Sequence, residues 1–213
     1  SWFGGEPLLA KDVVLDVSSH ALAACGETVN FAANVTTNGY LLDQGTFRAF
    51  LAAGVRYNHI TLDGEADGHD CVRVTANGGG TFDRIWSNLS AMKEVDLDFG
   101  VVIRLHYTTG RLQTAERGLE RIVDQFGGDS RFSVLLKELA RLGGANDDTI
   151  VDVGPGEMKV FIERARWICG GRMSLSCDPV DIKGVCYASK LNSFVVRPDG
   201  RLGKCTVALD DPR

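Results

Sequence analysis

Two periods of apolar and polar residues alternate along the chain. Val55 to Leu62 and Gly100 to Tyr107 are short apolar runs rich in β-branched residues, which predicts buried strands. Between them Phe82, Ile85, Trp86, Leu89 and Met92 recur at three- and four-residue steps, predicting an amphipathic helix with Thr81 at its cap. The same two periods continue on either side. Leu8 to Cys25 reads as a helix carrying Leu9, Val13, Val14, Val17 and Leu22, and Val29 to Thr36 as a strand. Asp43 to Gly54 reads as a helix burying Phe47, Phe50 and Leu51, with Gly54 ending it. Further on come a helix over 114–126, a strand over 131–136 and a helix over 157–168.

Strand and helix alternate with short glycine-bearing connections, so the pattern predicts an α/β fold with a parallel sheet and helices outside it. In such sheets ligand chemistry gathers at the carboxyl ends of the strands. Gly4-Gly5-Glu6-Pro7, Thr37-Asn38-Gly39, Asp63-Gly64 and Thr108-Thr109-Gly110 fall at those ends. Regularity breaks at the polar stretch from Gly143 to Asp148 and again at Gly154-Pro155-Gly156. Beyond Cys169 cysteines, glycines and short strands dominate, which places a boundary near residue 170 and divides the chain into 1–170 and 171–213.

Composition narrows the function. With 213 residues, 44% hydrophobic and 24% charged, the chain has material for a sizeable core. A net charge of -5 gives no basic footprint for nucleic acid. No apolar run has membrane-spanning length, so neither nucleic-acid nor membrane partners are expected.

The opening stretch Ser1-Trp2-Phe3-Gly4-Gly5-Glu6-Pro7 reads as the end of a strand breaking into a loop where backbone approaches a ligand. Free strand-end carbonyls and the Glu6 carboxylate suit an ammonium group, and Pro7 contributes no N–H to oppose it. A second constellation is Thr61-Leu62-Asp63-Gly64 followed by His69-Asp70-Cys71-Val72-Arg73. A hydroxyl and an arginine can converge there on a carboxylate or ribose, whereas a surface pairing of Arg73 with Asp67 or Asp70 is the alternative. Asn38 and Arg104 are further polar groups at strand ends. A buried arginine in Val102-Ile103-Arg104-Leu105 needs either a ligand anion or an internal salt bridge. Asp63 either orients Thr61 or stabilises its own turn. His20, His59, His69 and His106 show no metal-binding spacing and are read as residues without chemistry.

Four of six cysteines fall in the last 45 positions, which favours reduced thiols for metal over disulfides. Cys25 and Cys71 read as small apolar filler. Cys186 and Cys205 flank a hairpin signal, Phe194 to Arg197 followed by Pro198-Asp199-Gly200. Thirteen residues separate Cys186 from Gly200 and four separate Gly200 from Cys205. A thiolate pair there suits zinc or iron–sulfur equally.

Trp2 to Leu9 resembles the second-strand motif of radical SAM enzymes, which holds the methionine amine of S-adenosylmethionine (SAM). Thr61 and the Arg73 that follows His69-Asp70 resemble the SAM-contacting positions of radical SAM peptide and protein maturases, a group that includes the anaerobic sulfatase-maturating enzymes. The Cys186 to Cys205 spacing resembles the opening half of the SPASM extension, whose cysteines bind auxiliary [4Fe-4S] clusters. The resemblance implies a partial (β/α)6 TIM-like barrel over 1–170 and the start of a SPASM domain over 171–213. It assigns Gly4, Gly5, Glu6, Pro7, Thr61, Arg73, Asn38 and Arg104 to cofactor binding, and Cys186, Cys205 and Cys177 to a cluster, with Cys169 as a weaker ligand.

The activity implied is reductive cleavage of SAM at a [4Fe-4S] cluster to a 5′-deoxyadenosyl radical, which abstracts hydrogen from a peptide or protein. A flavodoxin or ferredoxin would donate the electron, in the cytoplasm. The CX3CX2C ligands of the reactive cluster belong upstream of Ser1, so the chain reads as an interior fragment, inactive alone. Sulfatase maturases carry an aspartate after the cysteine matching Cys205; here Thr206 stands there, which favours an unspecified peptide-modifying activity. The alternative is a non-catalytic SAM- or peptide-binding module with a zinc site.

Overall fold

The computed structural model describes residues 1–26, 28–139, 152–177 and 186–205. The polar stretch from Gly143 to Asp148 lies outside them, as does Thr206. Five parallel strands form one sheet in sequential order: β1 (Ala33–Thr37), β2 (Val55–Leu62), β3 (Gly100–Tyr107), β4 (Phe132–Glu138) and β5 (Ser174–Cys177). Trp2 adds a parallel bridge to Val35 beyond β1, so the opening strand expected at Phe3 is a single paired residue. Sequential parallel order requires a crossover on the same side each time, which curves the sheet into part of a barrel.

The crossovers are α1 (Lys11–Cys25, preceded by a 3-10 turn at Pro7–Ala10), α2 (Gln44–Ala52), α3 (Ala66–Asp70), α4 (Phe82–Lys93), α5 (Leu112–Phe126) and α6 (Pro155–Cys169). The short antiparallel pair β6 (Val195–Val196) and β7 (Leu202–Gly203) is the hairpin expected between Cys186 and Cys205. Asp43 caps α2 through Thr46 N, and Gly54, at φ +80°, lets the chain turn directly into β2.

Three expectations are corrected. The strand expected from Val29 begins at Ala33. In α1 the buried residues are Val14 and Ser18, with Leu8 just before it and Leu15 packed against the core, while Leu9, Val13, Val17 and Leu22 are exposed. Trp2 Nε1 donates to Ser18 Oγ at 3.0 Å, and this contact fixes the rotation of the helix. Thr81 makes no side-chain cap for α4. Asp70 Oδ1 does so from outside the helix, accepting from Thr81 N at 2.8 Å and Phe82 N at 3.0 Å.

The two faces of the sheet differ in chemistry. Ile60 and Leu62, Val101, Ile103, Leu105 and Tyr107, and Phe132, Val134 and Leu136 stand in register on the face toward the helices, all buried. Phe132 stacks on Phe126 of α5, and Tyr107 packs on Phe161 of α6. The opposite, inner face carries Thr36, His59 and Val102 in one row, Thr61, Arg104, Leu135 and Ser176 in the next, and His106 beside Lys137 in the third. A barrel interior of ordinary structural type is filled by branched apolar side chains. This one is largely polar, which is the wall of a site.

Candidate functional site

The Gly-Gly loop follows Trp2 directly. Gly4 and Gly5 have φ of +95° and +55°, and a Cβ built on either meets nothing within 4 Å. Backbone conformation therefore demands glycine here, and the space around the loop stays open. Among the described residues no hydrogen bond reaches the carbonyls of Gly4 and Gly5. Pro7 occupies the first position of the 3-10 turn, where its lack of an N–H costs nothing.

Glu6 ties this loop to the end of β1. Its Oε1 accepts from Leu8 N at 3.0 Å and from Thr37 Oγ1 at 2.6 Å, and its Oε2 accepts from Asn38 N at 2.8 Å. Three of about four lone-pair directions of the carboxylate are thus occupied. Glu6 thus positions the loop, and the Gly4 and Gly5 carbonyls and one of its own lone pairs stay open. Asn38 Oδ1 accepts from Tyr40 N at 2.8 Å, closing the next turn. From α4, Asn88 Nδ2 donates to the carbonyls of Gly39 and Tyr40 at 2.8 and 3.1 Å. Nothing in the local sequence pattern of Asn88 marks that role.

Beyond β2 the chain folds back as the second constellation requires. Arg73 pairs through Nε with Asp63 Oδ2, not with Asp67 or Asp70; Asp67 pairs with Arg117, and Asp70 caps α4. His106 Nδ1 stands 3.0 Å from the other oxygen of Asp63. Burial alone would raise the Asp63 pKa, but His106 and Arg73 outweigh it and hold it at about 2. His69, fully buried, accepts from Asp63 N through Nδ1 at 3.1 Å. Its Nε2 therefore carries the proton and meets Thr81 Oγ1 at 3.0 Å, and Thr81 Oγ1 donates onward to Arg73 O at 2.9 Å. Burial pushes the His69 pKa down, in keeping with the neutral ring this network needs. The histidines read as bystanders thus include one that holds the arginine loop onto β2.

Glu6, Asn38 and Arg73 line one cleft of 570 Å³ together with Tyr40, Leu41 and Ile85. Thr61 and Arg104 lie outside that lining, side by side in register on the inner wall. The donor set at the cleft and the adjoining Gly4-Gly5 loop fits the methionyl end of SAM: open carbonyls on the loop for the ammonium, guanidinium nitrogens beyond the paired Nε of Arg73 for the carboxylate, and apolar walls.

The cysteines are spread out. Cys177 is half-buried at the end of β5 against the core, Cys186 is exposed, Cys205 is half-buried, and Cys71 is exposed rather than core filler. Burial raises the Cys177 and Cys169 thiols, and Cys177 raises Cys169 further. Among the described residues no three metal-binding side chains gather. The donor set for an auxiliary cluster is incomplete there.

A one-sided parallel α/β sheet with its polar site at the carboxyl ends of the strands is the core of a partial TIM-like barrel. The model of the Radical SAM superfamily matches residues 1–113, and the chain belongs to that superfamily. Its family cofactors are SAM and a [4Fe-4S] cluster. Among curated proteins no sequence matches. The fold is similar to that of anSMEcpe, an anaerobic sulfatase-maturating enzyme solved with bound AdoMet and Kp18Cys peptide. The TM-score is 0.73 at 16% identity, over 97% of this chain and 60% of that one. A domain of pyruvate-formate lyase-activating enzyme from Bacteroides vulgatus ATCC 8482 is similar at a TM-score of 0.58 and 16% identity, over 83% of this chain and 96% of that one. The chain spans about 60% of the length of anSMEcpe. No helix among the described residues is long and apolar enough to cross a membrane.

Proposed function

We propose that this chain supplies the SAM cleft and substrate wall of a radical SAM enzyme that modifies a peptide or protein. When bound, SAM and the reactive cluster supply a 5′-deoxyadenosyl radical able to abstract hydrogen from an unactivated carbon. The observation that carries the reading is the Glu6 tie: Glu6, which lines the same cleft as Arg73, joins the end of β1 to a loop of two positive-φ glycines whose carbonyls are open.

Each residue has a physical task. Gly4 and Gly5 accept the methionyl ammonium, Glu6 and Pro7 fix the loop, Asn38 shapes the adjoining turn, and Arg73 takes the carboxylate in a charge-assisted pair. Thr61 presents a hydroxyl to the ligand from the inner wall. Cys186 and Cys205, carried on either side of the β6–β7 hairpin, with Cys177 as a further ligand, would hold an auxiliary [4Fe-4S] cluster of a SPASM extension. The bound peptide of anSMEcpe supports a peptide partner. A flavodoxin or ferredoxin would donate the electron, in the cytoplasm.

The test is anaerobic reconstitution of the intact protein with iron and sulfide, followed by assay of 5′-deoxyadenosine release from SAM under a strong reductant. Release that disappears in Arg73→Ala with a raised SAM Kd is expected. SAM binding without any release, together with zinc in the isolated protein, would instead identify a non-catalytic module.

A further inference from the structure

The inner wall holds a charge that the SAM cleft does not use. Arg104 stands in the middle of β3, half-buried, with Thr61 in register on β2 and Leu135 on β4. Among the described residues no carboxylate pairs with it. Next along the same face come His106 and, in register with it, Lys137; His59 lies one row back. Among the described residues His106 Nε2, which is buried, has no hydrogen-bond partner. The acidic residue near this wall, Asp63, is already engaged by Arg73 and His106. Glu138 sits on the other face, accepting from Val153 N at 2.7 Å. Burial lowers the His59 pKa, and the charge of Arg104 lowers it further.

A half-buried guanidinium with no carboxylate partner is open to an arriving anion. SAM does not supply it. Its one anion is the carboxylate, bonded to the carbon that also bears the ammonium held at the Gly-Gly loop. That loop continues from the Trp2 bridge beyond β1, three strand spacings from β3, or about 14 Å along the sheet. In the proposed pose that carboxylate is taken by Arg73, and the adenosine end is uncharged.

Resting on the proposed function, we infer that the inner wall selects an acidic substrate: a peptide whose carboxylate, from an Asp or Glu side chain, docks on Arg104 beside His106 and Lys137. Arg104 pairs the carboxylate in a fork. The docked acid then sets which residue of the peptide lies over the carboxyl ends of the strands.

The intact protein, with SAM bound, is treated with phenylglyoxal, and adduct formation at Arg104 is read by mass spectrometry. The probes are acetyl-Gly-Glu-Gly-amide and acetyl-Gly-Gln-Gly-amide. The acidic probe should slow labelling of Arg104 about tenfold more than the neutral one, as expected for a charge-assisted pair. Equal protection by both, protection by neither, or full protection by SAM alone overturns the inference. Arg104→Gln provides the second reading. It should abolish the preference for the Glu probe in competition binding, and a parallel loss of SAM affinity of similar size would show that Arg104 serves the cofactor instead. A protein that fails to bind SAM but still shows protection by the Glu probe refutes the proposed function while leaving the acidic preference standing.

Discussion

Asp63 Oδ1 lies 3.0 Å from His106 Nδ1 while Oδ2 takes the Nε of Arg73, so one buried carboxylate joins the end of β2, the inner wall on β3 and the loop over the cleft. Its pKa falls from 3.8 to about 2 on folding. A depressed carboxylate pKa stabilises the fold above the unfolded value and is lost as pH falls through the folded one. Asp63 should therefore contribute about 2 kcal/mol near neutrality, declining between about pH 4 and pH 2. Urea denaturation of wild type and Asp63→Asn should differ at pH 7 and converge at pH 2. Equal curves at pH 7 would contradict this.

His69 carries the opposite charge logic. Its imidazole must be neutral to accept from Asp63 N, and burial lowers its pKa below 6.5. Neutral-base stabilisation is complete above pH 6.5 and is lost as pH falls toward the folded value. His69→Phe fills the space against Phe82, whose ring centroid lies 5.6 Å away, yet leaves the Asp63 N–H buried without an acceptor. A loss of about 1–3 kcal/mol is expected. Thermal melts at pH 7.5 and pH 5.5 check it: the variant should lose the wild type's pH sensitivity in that window.

The fold was legible wherever burial follows a simple period. β2 and β3 match their apolar runs, and α4 matches its three- and four-residue steps. α1 was not legible in detail. Its apolar residues lie on more than one face, and a long-range contact from Trp2 to Ser18 decides which face turns inward. Around the cleft, Glu6 and Asn38 could be found because turn chemistry and a strand-end position coincide, whereas Arg73, beyond α3, was reached only through the family resemblance of the stretch after His69-Asp70. Asn88 and the roles of Asp63, His69 and Asp70 could not, because each depends on a partner brought near by tertiary folding, up to 49 positions away for Asn88 and Gly39.

Glu6→Gln tests whether the tie orders the Gly-Gly loop. The glutamine amide must turn its NH2 either to Asn38 N–H or to the pair of donors from Leu8 and Thr37, placing donor against donor in both cases. The cost should be about 1–3 kcal/mol. Amide hydrogen exchange at Leu8 and Asn38 should speed up by more than about fivefold, as the same energy range requires. Unchanged exchange at both amides would show that the loop holds its shape by other means.

Gly118 sets two effects against each other. In α5 an alanine would improve helix propensity by about 1 kcal/mol. A Cβ at this position, however, would lie 2.7 Å from Gly64 C and 3.0 Å from Glu65 N, which are backbone atoms at the carboxyl end of β2. Backbone cannot rotate away as a side chain tip can, so overpacking of about 1–3 kcal/mol should win. Gly118→Ala is therefore expected to lower Tm by several degrees. Because Gly64 immediately follows Asp63, the displacement should also disturb the pairing with Arg73 and raise the Kd for SAM. A variant more stable than wild type would mean that α5 can shift outward without moving the cleft.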